Sequence, residues 1–192
     1  MSETRGNPWT VRASKVMYDN RWIRVTHNDV LTPSNTPGVY GTVHFKNRAV
    51  GILPVDDEGY TYLVGQYRFP IEQYSWEIPE GGSPLGGNPK ESAVRELREE
   101  TGLSARHWTT LGEFHCSNCV SDEFATLFLA WGLTRGEASP EPSEQLEVRR
   151  VHLEEAFAMV EAGTIRDGMS VVALQALELL QLRKKLPFES SW

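Results

Sequence analysis

GGSPLGGNPKESAVRELREETGL, residues 81–103, is the stretch that decides how this chain is read. Asn88 stands where a helix N-cap belongs, Pro89 suits the first helical position, Glu91 completes a capping box, and Gly102 is placed to end the helix. Ala93, Val94 and Leu97 form its apolar stripe. At about 100° per residue, Glu96, Glu99 and Glu100 share the adjoining face, with Glu100 nearest the stripe and so the least hydrated. Each acid has another three or four residues away, close enough to repel it. A Gly-rich loop enters the helix and Arg95 stands beside the acids. Taken alone, the acids fit a solvated face paired with Arg95 and Arg98. Together with the loop and the cap, they point to a hard divalent cation held by oxygen ligands, Mg²⁺ or Mn²⁺.

Outward from this helix, strands and helices mix. KVMYDNRWIRVTHNDVL (15–31) holds β-rich segments broken by a turn at Asp19-Asn20, and VYGTVHF (39–45) is a further strand; together they predict a small N-terminal sheet. AVGILPV (49–55) is the near-continuous apolar run of a strand buried on both faces. YTYLVGQYRF (60–69) returns from a DDEG turn, and SWEIPEGG (75–82) reads as one short strand running into the loop. Strands follow over 107–116, 123–133 and 146–153, and helices over about 153–162 and 169–185. This pattern predicts an α/β or α+β sandwich.

Bulk properties narrow the function. A chain of 192 residues has enough length for a proper core. Its net charge of −7 argues against general electrostatic binding to nucleic acid. No apolar run approaches the ~18 residues of a membrane span, and MSETRGNPWTVRASKV carries no secretory h-region, so a cytoplasmic location is expected. Cys116 and Cys119 form a single CxxC with no second pair, read as two small loop residues.

The 81–103 segment resembles the Nudix box: Gly, five residues, Glu, seven residues, then Arg-Glu-apolar-any-Glu-Glu-any-Gly-apolar. Gly81, Arg95, Glu96, Leu97, Glu99, Glu100, Gly102 and Leu103 match in register. QYRFPIEQYSWEIPEG (66–81) and SDEFATLFLA (121–130) are similar to ADP-ribose pyrophosphatases and related nucleotide-sugar hydrolases, as is the N-terminal β-rich region. The resemblance implies a Nudix-like α/β/α sandwich with a mixed sheet over residues 47–192, and a β-rich dimerisation region over 1–46. It implies Mg²⁺- or Mn²⁺-dependent cleavage of the pyrophosphate of a nucleoside diphosphate sugar. ADP-ribose ranks first, with ADP-glucose and GDP-mannose behind it. Asn118, standing where ADP-ribose enzymes tend to carry proline, widens that choice.

Carried over by position, the resemblance implies Glu96 and Glu100 as direct metal ligands, Glu99 as a ligand or water holder, the backbone carbonyl of Glu80 as a further ligand, and Arg95 orienting Glu99 or its neighbours. The general base comes from the acidic loop 137–145, Glu144 first and Glu141 second. Arg68 is the contact for a phosphate or ribose, Tyr67 and Trp22 offer aromatic surface for a base, and Gly81 lets backbone approach the ligand. One position departs: where the pattern has its first Glu this chain has Gly87. Either Glu80 or Glu77 compensates, or metal binding is weaker, or activity is lost. The alternatives to hydrolysis of a nucleotide sugar are a catalytically weak domain that binds a nucleotide metabolite, and a pyrophosphatase that cleanses nucleoside triphosphates.

Overall fold

In the computed structural model, residues 6–139 and 145–190 are described. They form two compact units. The first, residues 6–47 with 117–123, is built on three antiparallel strands in the order β1 (Thr10–Asp19), β2 (Ile23–Leu31), β3 (Pro37–Phe45). The turn between β1 and β2 is set by Asn20, whose Oδ1 accepts the backbone N–H groups of Trp22 and Ile23 at 2.8 Å each. Every residue of β1 is exposed, and Val11, Val16, Met17, Tyr18, Trp22 and Val39 leave large apolar surfaces open to solvent. The 117–123 segment joins β3 through a bridge between Val43 and Ser121. It is held there by Asp122, which accepts the Phe45 N–H at 2.8 Å and pairs with His44.

The second unit, made by the described residues of 48–116, 124–139 and 145–190, carries a seven-stranded mixed sheet. Its main path is β10 (Glu147–His152), β5 (Tyr60–Arg68), β4 (Asn47–Val55), β9 (Phe124–Arg135), β8 (Leu103–His115). β4 and β9 run parallel; β10–β5, β4–β5 and β8–β9 are antiparallel. Both central strands are buried on both faces, which is why AVGILPV lacks polar alternation. Leu53, Val55, Leu127 and Leu129 face one core cluster, with α2 (Leu153–Glu161) and α3 (Gly168–Leu182) packed on it through Phe157, Leu174 and Leu177. Their neighbours Val50, Ile52, Phe128 and Ala130 face the other, with Ala93 and Leu97 of α1 (Pro89–Thr101). Helices on both faces of one sheet make the expected α/β/α sandwich. No helix among the described residues is long and apolar enough to cross a membrane.

Three details differ from the sequence reading. SWEIPEGG is two strands: β6 (Gln73–Glu77) pairs with β5, and β7 (Glu80–Pro84) pairs with β4. Ile78-Pro79 carries the chain from one neighbour to the other, with the Pro79 carbonyl accepting the Ile52 N–H at 2.8 Å. On α1, Val94 is 43% exposed while Ser92 is buried. Ser92 tolerates burial because its hydroxyl is bonded to that of Ser83 at 3.0 Å. At the helix start, Asn88 Oδ1 accepts the Lys90 N–H, and Glu91 meets the Asn88 side-chain amide rather than its backbone. Gly102 ends the helix at φ +71°, a left-handed conformation suited to glycine.

Candidate active site

β7 lies against α1 through three successive points of contact. Ser83 meets Ser92, Gly81 meets Glu96, and the Glu80 N–H donates to Glu100 Oε2 at 3.0 Å. Gly81 has no choice of side chain here: a Cβ would collide with the carboxyl group of Glu96. The strand therefore holds Glu96 and Glu100 at fixed positions along the helix.

Arg95 closes the ridge from the solvent side. It donates to Glu99 Oε2 at 2.5 Å, to Glu96 Oε1 at 2.6 Å and to the Gly82 carbonyl at 3.2 Å. The acids are graded in hydration. Glu100 is 4% exposed, and the Glu96 and Glu99 side chains are 13% and 30% exposed. Burial raises the Glu96 carboxyl above its usual range, and Arg95 pulls the other way. Arg95 stays firmly cationic, since Glu96 and Glu99 outweigh its own desolvation. Glu96, Glu99 and Glu100 offer oxygen donors and more negative charge than the one guanidinium cancels, the donor chemistry a hard divalent ion prefers.

A second polar group lies on the other side of Glu80. Arg68, at the end of β5, forks onto Glu77: Nε donates to Oε1 at 2.9 Å and to Oε2 at 3.0 Å, and Nη2 to Oε2 at 2.5 Å. The same Nη2 donates to Glu80 Oε1 at 2.5 Å. Burial works against the Arg68 charge, but Glu77 and Glu80 hold its pKa above the ordinary value. Glu80 is shifted well above the carboxylate range by burial first, then by Asp167 and Glu77, with Arg68 opposing. Asp167 arrives from the N-terminus of α3, where its Oδ2 accepts the backbone N–H and the hydroxyl of Ser170 at 2.7 and 2.8 Å. Ser170 Oγ in turn accepts the Ile78 N–H at 2.9 Å, so the α3 cap also fixes the crossing between β6 and β7.

Of the residues singled out from the sequence, Glu80, Gly81, Arg95, Glu96, Glu99 and Glu100 thus come together on β7 and α1, and Arg68 joins them through Glu80. Tyr67 is exposed on β5, paired in register with Tyr74 of β6. Trp22 belongs to the N-terminal unit, its exposed ring covered by the Arg21 guanidinium 4.1 Å from the centroid. Glu141 and Glu144 lie outside the described residues. The sequence reading missed Asp167. Its signal was present, an acid three residues before Ser170 at the start of an apolar helix, but that pattern marks a cap and names no partner.

The NUDIX domain family model matches residues 45–170, and the nucleoside diphosphate sugar hydrolase N-terminal domain model matches residues 9–43. An ADP-ribose pyrophosphatase of Bacillus subtilis is 39% identical over 133 residues, 68% of this chain and 72% of that protein. An ADP-ribose pyrophosphatase of Mycobacterium tuberculosis is 31% identical over 150 residues, 75% of this chain and 72% of its own length. A CMP-5'-(N-acetyl-N-hydroxy-3-aminopropyl)phosphonate hydrolase of Streptomyces rubellomurinus is 30% identical, covering 89% of this chain and 83% of that protein. Among solved structures, an ADP compounds hydrolase superposes with a TM-score of 0.83 over 96% of this chain and 100% of its own, at 22% identity. That last likeness speaks for the fold.

Proposed function

The chain belongs to the Nudix hydrolase family, and from that premise we propose that it hydrolyses the pyrophosphate bridge of a nucleoside diphosphate sugar in the cytoplasm, yielding a nucleoside monophosphate and a sugar phosphate. The observation that carries this reading is the Glu96–Glu99–Glu100 ridge, fixed by Arg95 and by the close approach of Gly81. ADP-ribose is the first choice of substrate, supported by the names of the Bacillus and Mycobacterium relatives. ADP-glucose and GDP-mannose come next. The Streptomyces relative, named for a CMP-linked phosphonate, leaves the base open.

Glu96, Glu99, Glu100 and the Glu80 carbonyl would hold Mg²⁺ or Mn²⁺. Such an ion, when bound, neutralises the charge of the bridging phosphates and lowers the pKa of water. The protein's own groups do the remainder. Arg95 bonds both Glu96 and Glu99 and so offsets their mutual repulsion. Arg68, whose side chain is about one third exposed, presents its free edge to a phosphate or ribose. Tyr67 offers an aromatic face to the base; Trp22 would do so for the base held by a second copy, since we assign the N-terminal β-rich region to dimerisation. Glu144, or failing it Glu141, takes the proton of the attacking water as the new P–O bond forms and the bridging oxygen leaves with one phosphate.

The test is a screen of nucleotide sugars in Mg²⁺ and in Mn²⁺, with the monophosphate products read by a coupled phosphatase. Glu100→Gln is run in parallel. Its amide oxygen can still accept the Glu80 N–H, so this contact between β7 and α1 is kept while one anionic ligand is lost. Turnover of ADP-ribose that falls at least 100-fold in Glu100→Gln is the expected result. Binding of ADP-ribose without turnover in the unaltered protein would instead identify a nucleotide-binding domain, and turnover indifferent to Glu100→Gln would overturn the assigned ridge.

A further inference from the structure

Glu80 stands between two groups of acids and uses different parts of itself for each. Its backbone N–H serves Glu100 on α1, while its side chain points into the group made by Glu77, Arg68 and Asp167. Ligand oxygens of Glu77, Glu80 and Asp167 all lie within 4.8 Å of one another. Arg68 takes Glu80 Oε1, but Oε2 is wholly buried and has no hydrogen-bond partner among the described residues. An orphaned, buried carboxylate oxygen carries a penalty of a few kcal/mol in general, so its persistence calls for a missing partner. Asp167 is similarly lopsided: both bonds from Ser170 go to Oδ2, and Oδ1 takes part in neither.

Charge says what that partner is. Fully ionised, as a bound cation would hold them, the three acids exceed the single Arg68 guanidinium by two negative charges in a largely buried group, where the Glu77 side chain is only 3% exposed. A divalent cation cancels them in one step and accepts oxygen donors from all three acids.

We propose that Glu77, Glu80 and Asp167 form a second divalent-cation site, separate from the Glu96–Glu99–Glu100 ridge and holding its ion beside Arg68. The site takes a small, oxygen-preferring ion of the Mg²⁺ or Mn²⁺ class. Its position between the α3 cap, the β6–β7 crossing and the end of β5 makes it a clasp on the elements that orient Arg68. It does not depend on the hydrolytic reading, since it stands on these three acids whatever the ridge does.

The experiment counts ions without recourse to activity. Full-length protein stripped by chelator is titrated with Mn²⁺ alone near pH 7.5, and free Mn²⁺ is read by electron paramagnetic resonance. Unaltered protein is expected to bind at least one ion more than Asp167→Asn or Glu77→Gln. The Glu96→Gln/Glu100→Gln double variant, which disarms the ridge, is expected to keep one ion and to show a Mn²⁺-dependent rise in melting temperature. Equal stoichiometry in the unaltered protein and both folded cluster variants overturns the proposal, and so does a folded double variant that binds nothing, since protons rather than a metal would then neutralise the cluster. That last reading stands even if Asp167→Asn and Glu77→Gln fail to fold. Loss of turnover in the double variant with its remaining ion intact would concern the ridge alone.

Discussion

Gly81 and Glu96 compete for one space: the carboxyl group of Glu96 occupies the volume in which a side chain at position 81 would begin. Gly81→Ala must therefore push Glu96 aside or lift β7 from α1. Overpacking of this kind costs about 1–3 kcal/mol. We expect the variant to fold with a lowered melting temperature and to lose at least 10-fold in kcat, because the displaced acid leaves the ridge. Retained kcat with only a stability loss, read by steady-state kinetics beside thermal denaturation, would show that the position of Glu96 is not critical to turnover.

Arg68 carries a scaffold role that its exposed edge conceals. Glu77 is buried and relies on the Arg68 fork for its partner. Removing one member of a buried pair leaves an uncompensated charge, at a cost of about 3–5 kcal/mol. Arg68→Ala is expected to lose about 3 kcal/mol in urea denaturation, more than a purely substrate-facing arginine would. Arg68→Lys should recover part of that stability, since it restores the charge without the two-point geometry. A change below about 1 kcal/mol for Arg68→Ala would place the weight of this residue on the ligand instead.

Much of this arrangement was legible in the sequence because it is local. The α1 caps and the acid spacing are written within one segment, and helical geometry alone brings Glu96 and Glu100 to one face. Burial of Glu100 followed from the same geometry. What escaped depends on partners far away in the chain. Whether WEIPEGG is one strand or two is decided by β5 and β4, which claim its two halves in turn. Val94 belongs to the stripe by hydropathy, yet Ser92 takes the buried place because Ser83 of β7 supplies its hydrogen bond. Asp167 reaches Glu77 and Glu80 only once α3 docks on the sheet, and nothing near Asp167 in sequence announces those two acids.

The N-terminal unit should respond to acid through Asp122. Burial tends to raise this carboxyl, but the Phe45 N–H and His44 outweigh it and leave the pKa below its ordinary value of 3.8. A carboxylate depressed in the folded state binds fewer protons there than in the unfolded state. Its contribution is therefore whole above the unfolded pKa and fades as pH falls through the folded one. The side chain is half exposed, so that contribution stays within about 1 kcal/mol. Asp122→Asn is expected to destabilise the unit at pH 7, with the difference from the parent protein closing as pH falls through the depressed folded pKa. A pH-independent difference, measured by denaturation of the full chain followed through Trp fluorescence, would assign the loss to the hydrogen bonds alone.

Gly87 stands where the Nudix pattern has a glutamate, and the backbone there leaves room to put it back. Pro84 to Gly87 form a tight turn in which the Gly87 N–H donates to the Pro84 carbonyl at 2.9 Å. The left-handed conformation of that turn falls on Gly86, at φ +81°. Gly87 carries no such demand, and a Cβ there would sit 3.1 Å from the Pro84 carbonyl oxygen, a crowding relieved by a shift of a few tenths of an ångström. Gly87→Glu should fold with a stability change within about 1 kcal/mol. The added carboxylate strengthens an acidic donor set that already includes Glu96, Glu99 and Glu100, so the Mg²⁺ concentration for half-maximal turnover is expected to fall several-fold. An unchanged Mg²⁺ requirement would mean that Glu96, Glu99 and Glu100 suffice without the missing carboxylate, since the Glu77 and Glu80 side chains are turned to Arg68.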